Sequence, residues 1–206
     1  MSYLELLESD LREFQIDLDS HQKATLAAYC EELLRWNKKI NLTGLSGAAL
    51  VRRLVVEPVW VGMQLKPDGV LLDIGSGNGS PAIPLHVISR FRTCHLVEAR
   101  SKRAAFLRHL AATLNFNHVE VHRAMFEEVA PRLETPDWVT LQAVALTTEL
   151  SGHLRRISRS TTTVVWISSA ATKADSQPTR TMTIPITGTR VSLFHLYNEG
   201  IQPKGV

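Results

Sequence analysis

The segment Asp73-Ile74-Gly75-Ser76-Gly77-Asn78-Gly79 combines a carboxylate with three alternating glycines and follows the apolar run Val70-Leu71-Leu72. Glycines let a ligand approach the backbone without meeting a Cβ atom, and open α/β sheets place their ligands at the carboxyl ends of strands. The spacing discriminates between ligands. A nicotinamide fingerprint calls for glycine three residues beyond Gly77, where Ser80 stands, and no Gly-Lys-Ser/Thr follows to make a triphosphate loop. An acid ahead of the first glycine suits S-adenosylmethionine, with Asp73 available to its cationic amine directly or through water. Glu98 ends His95-Leu96-Val97-Glu98, 23 residues beyond Gly75, and is suited to accept hydrogen bonds from both ribose hydroxyls.

The other reactive side chains offer less. Among the eight histidines no pair has ligand-like spacing together with an acidic partner, so no metal is expected. Cys30 and Cys94 are too few for a disulfide framework or a four-thiolate site, and both read as small core residues. Trp36 and Phe106 could stack on a base, although aromatics at helical spacing more often belong to a core.

The elements that position the loop follow from periodicity. Leu26, Tyr29, Cys30, Leu33 and Leu34 share one face of a helix that Ser20 can cap and that runs to about Lys39. Leu4, Leu7, Leu11 and Phe14 mark a shorter amphipathic segment before it, and Leu50 to Val61 reads as a third helix limited by Pro58. After the turn Lys66-Pro67-Asp68-Gly69, strands are expected near 70–74, 93–98, 118–122, 138–144 and 162–168. Helices near 83–90, 101–114 and 146–157 lie between them. Residues 182–186 and 190–197 flank Gly188 as a candidate edge hairpin, and the polar stretch Ala170 to Arg180 reads as a long loop. The expected architecture is α/β, a Rossmann-like doubly wound sheet over 66–206 with a helical N-terminal extension over 1–65.

Composition places the chain among ordinary globular proteins: 206 residues, 44% hydrophobic and 21% charged. No run has membrane-spanning length and Met1 to Asp19 lacks the features of a secretory signal, so a cytoplasmic protein with no membrane partner is expected. The formal charge of +3 hides an asymmetry. Met1 to Leu34 carries two basic residues against eight acidic, and the remainder 21 against 12, an excess compatible with a polyanionic partner such as nucleic acid.

Two stretches resemble a known family. Asp19-Ser20-His21-Gln22-Lys23 through Leu34-Arg35-Trp36-Asn37-Lys38-Lys39-Ile40-Asn41-Leu42-Thr43 looks like a helical entry ending in W-N-K-x-x-N-L-T. Leu72 through Ser80-Pro81-Ala82-Ile83-Pro84-Leu85, with Lys102-Arg103-Ala104-Ala105-Phe106-Leu107-Arg108 after it, supplies the second. Over most of residues 17 to 123 the chain resembles the 16S ribosomal RNA methyltransferase G family, also called glucose-inhibited division protein B, which methylates guanine N7. The resemblance implies that Gly75, Gly77, Gly79 and Ser80, with Asp73 and Ser76 in the same loop, hold the methionine and ribose side of S-adenosylmethionine. It implies further that Glu98 holds the ribose, that Ala124 and Met125 face the adenine, and that Gln142 stands where an arginine faces cofactor and substrate.

Other departures accompany Gln142. Met125 cannot accept a hydrogen bond from the adenine amino group, unless Glu127 or Glu128 substitutes. Ser168 replaces a family lysine, and Arg52-Arg53-Leu54-Val55-Val56-Glu57 replaces an Arg-His-x-x-Asp-Ser segment. The implied partner is 16S rRNA or the small ribosomal subunit, met by a monomer. The candidate RNA contacts are Lys38, Lys39, Arg52, Arg53, Lys102, Arg103 and Arg123, with Arg155, Arg156 and Arg159 as a second patch. Guanine N7 presents an in-plane lone pair, so no general base is expected and no catalytic side chain is singled out. A second reading, motivated by Met125, Gln142 and Ser168, is a diverged relative that binds the cofactor but has lost rRNA methylation or acts on another substrate.

Overall fold

The computed structural model describes residues 1–168 and 177–196, and most of the polar stretch expected as a loop lies outside them. The chain opens with helices α1 (Tyr3–Glu13) and α2 (Ser20–Asn37). Asp19, and not Ser20, caps α2: its carboxylate accepts from Gln22 N at 2.8 Å while the Gln22 side chain accepts from Asp19 N at 3.1 Å. This reciprocal box satisfies two amide groups at once. Ser20 is instead the first helical residue.

The third expected helix does not stop at Pro58. Short helix α3 (Gly47–Val51) passes through a π-helical turn at Arg52–Val56 into α4 (Glu57–Leu65), with Pro58 in the first turn of α4. The wider turn is the reason. Glu57 N donates to Arg52 O, five residues back, so the ladder is already shifted where the proline lacks a donor and its ring would crowd a regular turn.

From here strands and helices alternate: β1 (Asp68–Ile74), α5 (Ala82–Ile88), β2 (Arg90–Val97), α6 (Ser101–Thr113) and β3 (Val119–His122). The short helix α7 (Phe126–Val129) follows, then β4 (Trp138–Gln142), α8 (Thr148–Ile157), β5 (Thr163–Ser168), β6 (Arg180–Thr183) and β7 (Arg190–His195). The sheet order is β3-β2-β1-β4-β5-β7-β6. The first five strands are parallel, and β7 runs antiparallel to both β5 and β6. The expected late hairpin is therefore formed. Its antiparallel pairing gives Pro185 a place in the turn, away from the ladder.

Apolar layers cover both faces. On one, Leu7, Leu11, Leu26, Tyr29 and Leu33 of the N-terminal helices join Leu71, Leu96, Phe106 and Val165 in a single buried cluster. On the other, Leu150 and Leu154 of α8 and Phe126 of α7 pack on Leu72, Val139 and Val164. Each fully buried leucine or phenylalanine contributes about 1.5–3 kcal/mol, so the first 65 residues are anchored to the sheet. Among the described residues no helix is long and apolar enough to cross a membrane.

Candidate functional site

Strand order reverses between β1 and β4, and a crevice opens beyond their carboxyl ends, where the two halves of the sheet diverge. Its volume is about 480 Å³. One wall comes from the ends of β1 and β2, with Ile74, Gly75, Val97, Glu98 and Arg100, and Arg103 of α6 lies beside them. Ala124 to Glu127 form a second side, and Gln142 to Ala145 with Thr147, Glu149 and Leu150 complete it.

The β1 loop is built from backbone hydrogen bonds. Gly75 N and Ser76 N both donate to Val97 O, at 2.9 and 3.1 Å, which draws the loop against the end of β2. Gly75, Gly77 and Gly79 all have positive φ. At Gly75 the need is also one of space, since a Cβ there would come within 2.7 Å of Val144 across the crevice. The buried Glu98 carboxylate ties the loop to the start of α6: Oε2 accepts from Gly77 N at 3.0 Å and Oε1 from Arg100 N at 2.8 Å.

Asp73 is buried beneath this loop. Thr140 Oγ1, the register neighbour on β4, donates to Asp73 Oδ1 at 2.6 Å, and Oδ2 has no partner among the described residues. Burial, aided by the nearby Glu98 charge, pushes its carboxyl up to about 7, against the lowering effect of the hydroxyl donors.

The N-terminal extension supports the loop from behind. The Tyr29 hydroxyl donates to Asn78 O at 3.0 Å, and Asn78 Nδ2 reaches Leu42 O at 3.5 Å. The W-N-K-x-x-N-L-T segment explains itself in these contacts. Asn37 Oδ1 accepts from Leu42 N and Thr43 N at 2.8 and 3.0 Å, while its Nδ2 donates to Thr43 O, and the chain reverses around that side chain. Asn41 O then accepts from Arg103 at 3.1 Å. Trp36 packs on Phe106 and His109, with ring centroids 5.8 and 5.1 Å apart, and Phe106 is fully buried; the aromatic pair belongs to the core.

Five of the residues expected at the cofactor line the crevice: Gly75, Glu98, Ala124, Met125 and Gln142. Asp73, Ser76, Gly77, Gly79 and Ser80 are buried and do not line it. Glu127 is on the wall beside the exposed Met125, whereas Glu128 turns back to accept from Met125 N at 3.1 Å. Ser168 ends β5.

The basic residues divide. Arg103 is at the crevice, and Lys38, Lys39, Lys102 and Arg123 are exposed. Arg52 grips Asp10 of α1 with two hydrogen bonds of 3.1 and 2.7 Å and also meets Glu13. Arg53 pairs with the buried Glu57 at 2.9 Å and reaches Thr189 near the late hairpin. In the second patch Arg155 donates to Leu196 O at 3.2 Å, and Arg159 lies 3.8 Å from Asp137.

Sequence reasoning read Tyr29 only as part of an apolar helix face and missed its bond to the loop, and it missed Thr140 and the wall residues Val144 and Glu149, which lie on segments with no local motif. It also missed a cluster. His95, Glu120 and His122 converge, which corrects the expectation that no histidine pair finds an acid. Glu120 and His122 are two residues apart on β3, but only strand pairing brings His95 of β2 to them. Cys30 and Cys94 are buried free thiols as expected, and desolvation pushes Cys30 up to about 12 and raises Cys94.

Reversed strand order, a glycine loop after β1 and an acid after β2 define a Rossmann-like fold of the class I methyltransferase kind. The O-methyltransferase from Bacillus cereus, solved in complex with SAH, shares it with a TM-score of 0.53 at 17% identity, over 77% of this chain and 70% of that one. The family model for rRNA small subunit methyltransferase G matches residues 22–199, and the chain belongs to that family. Ribosomal RNA small subunit methyltransferase G of Chloroflexus aggregans is 38% identical over 63% of this chain and 57% of its own length. Its counterpart in Magnetococcus marinus is 34% identical over 62% of this chain and 58% of its own. The chain thus spans under two thirds of the length of these two relatives.

Proposed function

We propose that this protein binds S-adenosylmethionine in the crevice and methylates guanine N7 of small-subunit ribosomal RNA. The observation that carries the reading is the meeting of Glu98 with the glycine loop at the strand reversal, in a member of this family. The chemistry of the crevice suits the cofactor. Its volume falls within the range of small-molecule sites, Gly75 leaves room that a Cβ would fill, and beneath the loop, behind the crevice lining, Asp73 holds a carboxylate oxygen with no partner among the described residues.

When bound, the cofactor supplies an electrophilic methyl group on a sulfonium. Glu98 already accepts one backbone donor on each oxygen, and each oxygen retains a lone pair for a ribose hydroxyl. Gly75 borders the ligand. Asp73, Ser76, Gly77, Gly79 and Ser80 fix the loop that presents it, and Ala124 and Met125 flank the adenine. Glu127 offers the acceptor that Met125 lacks. Gln142 and Arg103 face the incoming base, and Lys38, Lys39, Lys102 and Arg123 meet phosphates. Arg52 and Arg53 contribute to RNA binding only in competition with Asp10, Glu13 and Glu57.

Because the N7 lone pair needs no base to free it, the protein acts by holding base and methyl donor in line. In this reading 1–65 is a helical extension bracing the methyltransferase domain of 66–206, and the protein works as a cytoplasmic monomer. Calorimetric titration with S-adenosylmethionine, followed by labelled-methyl transfer to undermethylated small subunits, tests it. Saturable binding and transfer to guanine N7 are expected. No binding overturns the cofactor assignment. Binding without transfer overturns the substrate and leaves the diverged relative.

A further inference from the structure

Strands β2 and β3 pair in parallel with His95 opposite Glu120 and Val97 opposite His122. Since side chains alternate along a strand, His95, Glu120 and His122 emerge on one face, at the edge of the sheet. Their polar atoms meet closely. His95 Nδ1 lies 3.1 Å from His122 Nε2 and 3.4 Å from Glu120 Oε2, and His122 Nε2 is 3.8 Å from the same oxygen.

Three donor atoms around a tetrahedral zinc ion, at zinc–nitrogen distances of about 2.0–2.1 Å, stand about 3.3 Å apart. The three observed separations bracket that value. A proton shared between the two rings satisfies one contact and leaves the Glu120 oxygen at long range from both, whereas a cation at the centre serves all three lone pairs. We propose that His95, Glu120 and His122 form a binding site for a divalent transition-metal ion of the zinc class, with water completing the coordination.

The surroundings define its character. His95 is buried, His122 is partly exposed and Glu120 faces solvent, so the fourth position is open to water. Burial favours the neutral, ligating form of both rings. The nearby Arg92 and Glu134 are engaged with each other at 2.7 Å, and Arg108 donates to Val121 O. Buried Cys30 and Cys94, held as thiols, do not compete for the ion. Among the described residues His95 Nε2 has no hydrogen-bond partner, so they give the site no outer acceptor of the kind that strengthens many zinc histidines, and its affinity falls below that of closed structural sites. The ion clasps edge strand β3 to β2 one residue before Arg123 and the crevice residues Ala124 and Met125. This does not depend on the RNA reaction.

Zinc titration of untagged full-length protein against a chromophoric chelator, with thermal melts in zinc and in chelator, tests the site. One ion per chain and a zinc-dependent rise in Tm are expected. His122→Ala and the surface change Glu120→Gln each weaken binding by at least about tenfold and abolish the rise. Cobalt substitution gives a readout independent of stability: visible bands of a four-coordinate nitrogen–oxygen site in the parent, lost in both variants. Binding equal in parent and variants, or none in the parent, overturns the proposal.

Discussion

The two walls of the crevice are built on different principles. On the β1–β2 side, function and architecture share the same atoms: Glu98 both faces the crevice and accepts from Gly77 N, and the loop is drawn onto Val97 O. On the β4 side, Ala143, Ala145, Thr147 and Glu149 are exposed and Gln142 is only partly buried. Ala143 there adopts a positive φ of 56° in the open. On the first wall Glu98 and Gly75 cannot change without disturbing the loop, while the exposed residues of the second wall can change their chemistry at little structural cost. Gln142 stands on that second wall.

The contrast can be broken by substitution. Glu98→Ala is expected to have the largest effect: cofactor binding lost in calorimetry, with about 1–3 kcal/mol of stability removed because the Gly77 amide loses its acceptor. An intact affinity would detach Glu98 from the cofactor. Asp73→Asn sharpens the comparison through pH. With the folded carboxyl near 7 against an ordinary value of 3.8, the unfolded chain ionises first. Parent stability therefore falls as pH rises from roughly 4 to 7 and levels off above, by up to a few kcal/mol. Urea melts of the parent should show this decline and those of Asp73→Asn should not.

Smaller effects belong to the more accessible side chains of either wall. Arg103→Ala keeps the fold and weakens RNA methylation about tenfold, near 1.4 kcal/mol, chiefly in KM; an equal loss in cofactor affinity would place Arg103 on the cofactor instead. Gln142→Arg changes stability by less than about 0.5 kcal/mol and raises turnover on small subunits several-fold. A matching loss of stability would show that the β4 wall is as constrained as the glycine loop.

Much of this was legible along the chain. The apolar run before Gly75, the acid at the end of the second strand and the alternation of strands and helices give the doubly wound sheet, because periodicity and glycine spacing are local properties. The motif around Asn37 was recognisable without revealing its purpose. Its side chain bonds the chain five to six residues on, and the bend it makes sets Leu42 O and Asn41 O under the loop and Arg103.

The sequence by itself determined the strand, the loop and the acid that frame the crevice. The tertiary structure decided which charges are free to serve it. Arg52 finds Asp10 42 residues away and Arg53 finds Thr189 136 residues away, so two arginines that look available to RNA are engaged in holding helices. Only the pairing of β2 with β3 brings His95 to Glu120 and His122. Contacts of this kind depend on register and packing between distant segments, and no local pattern of residue types encodes them.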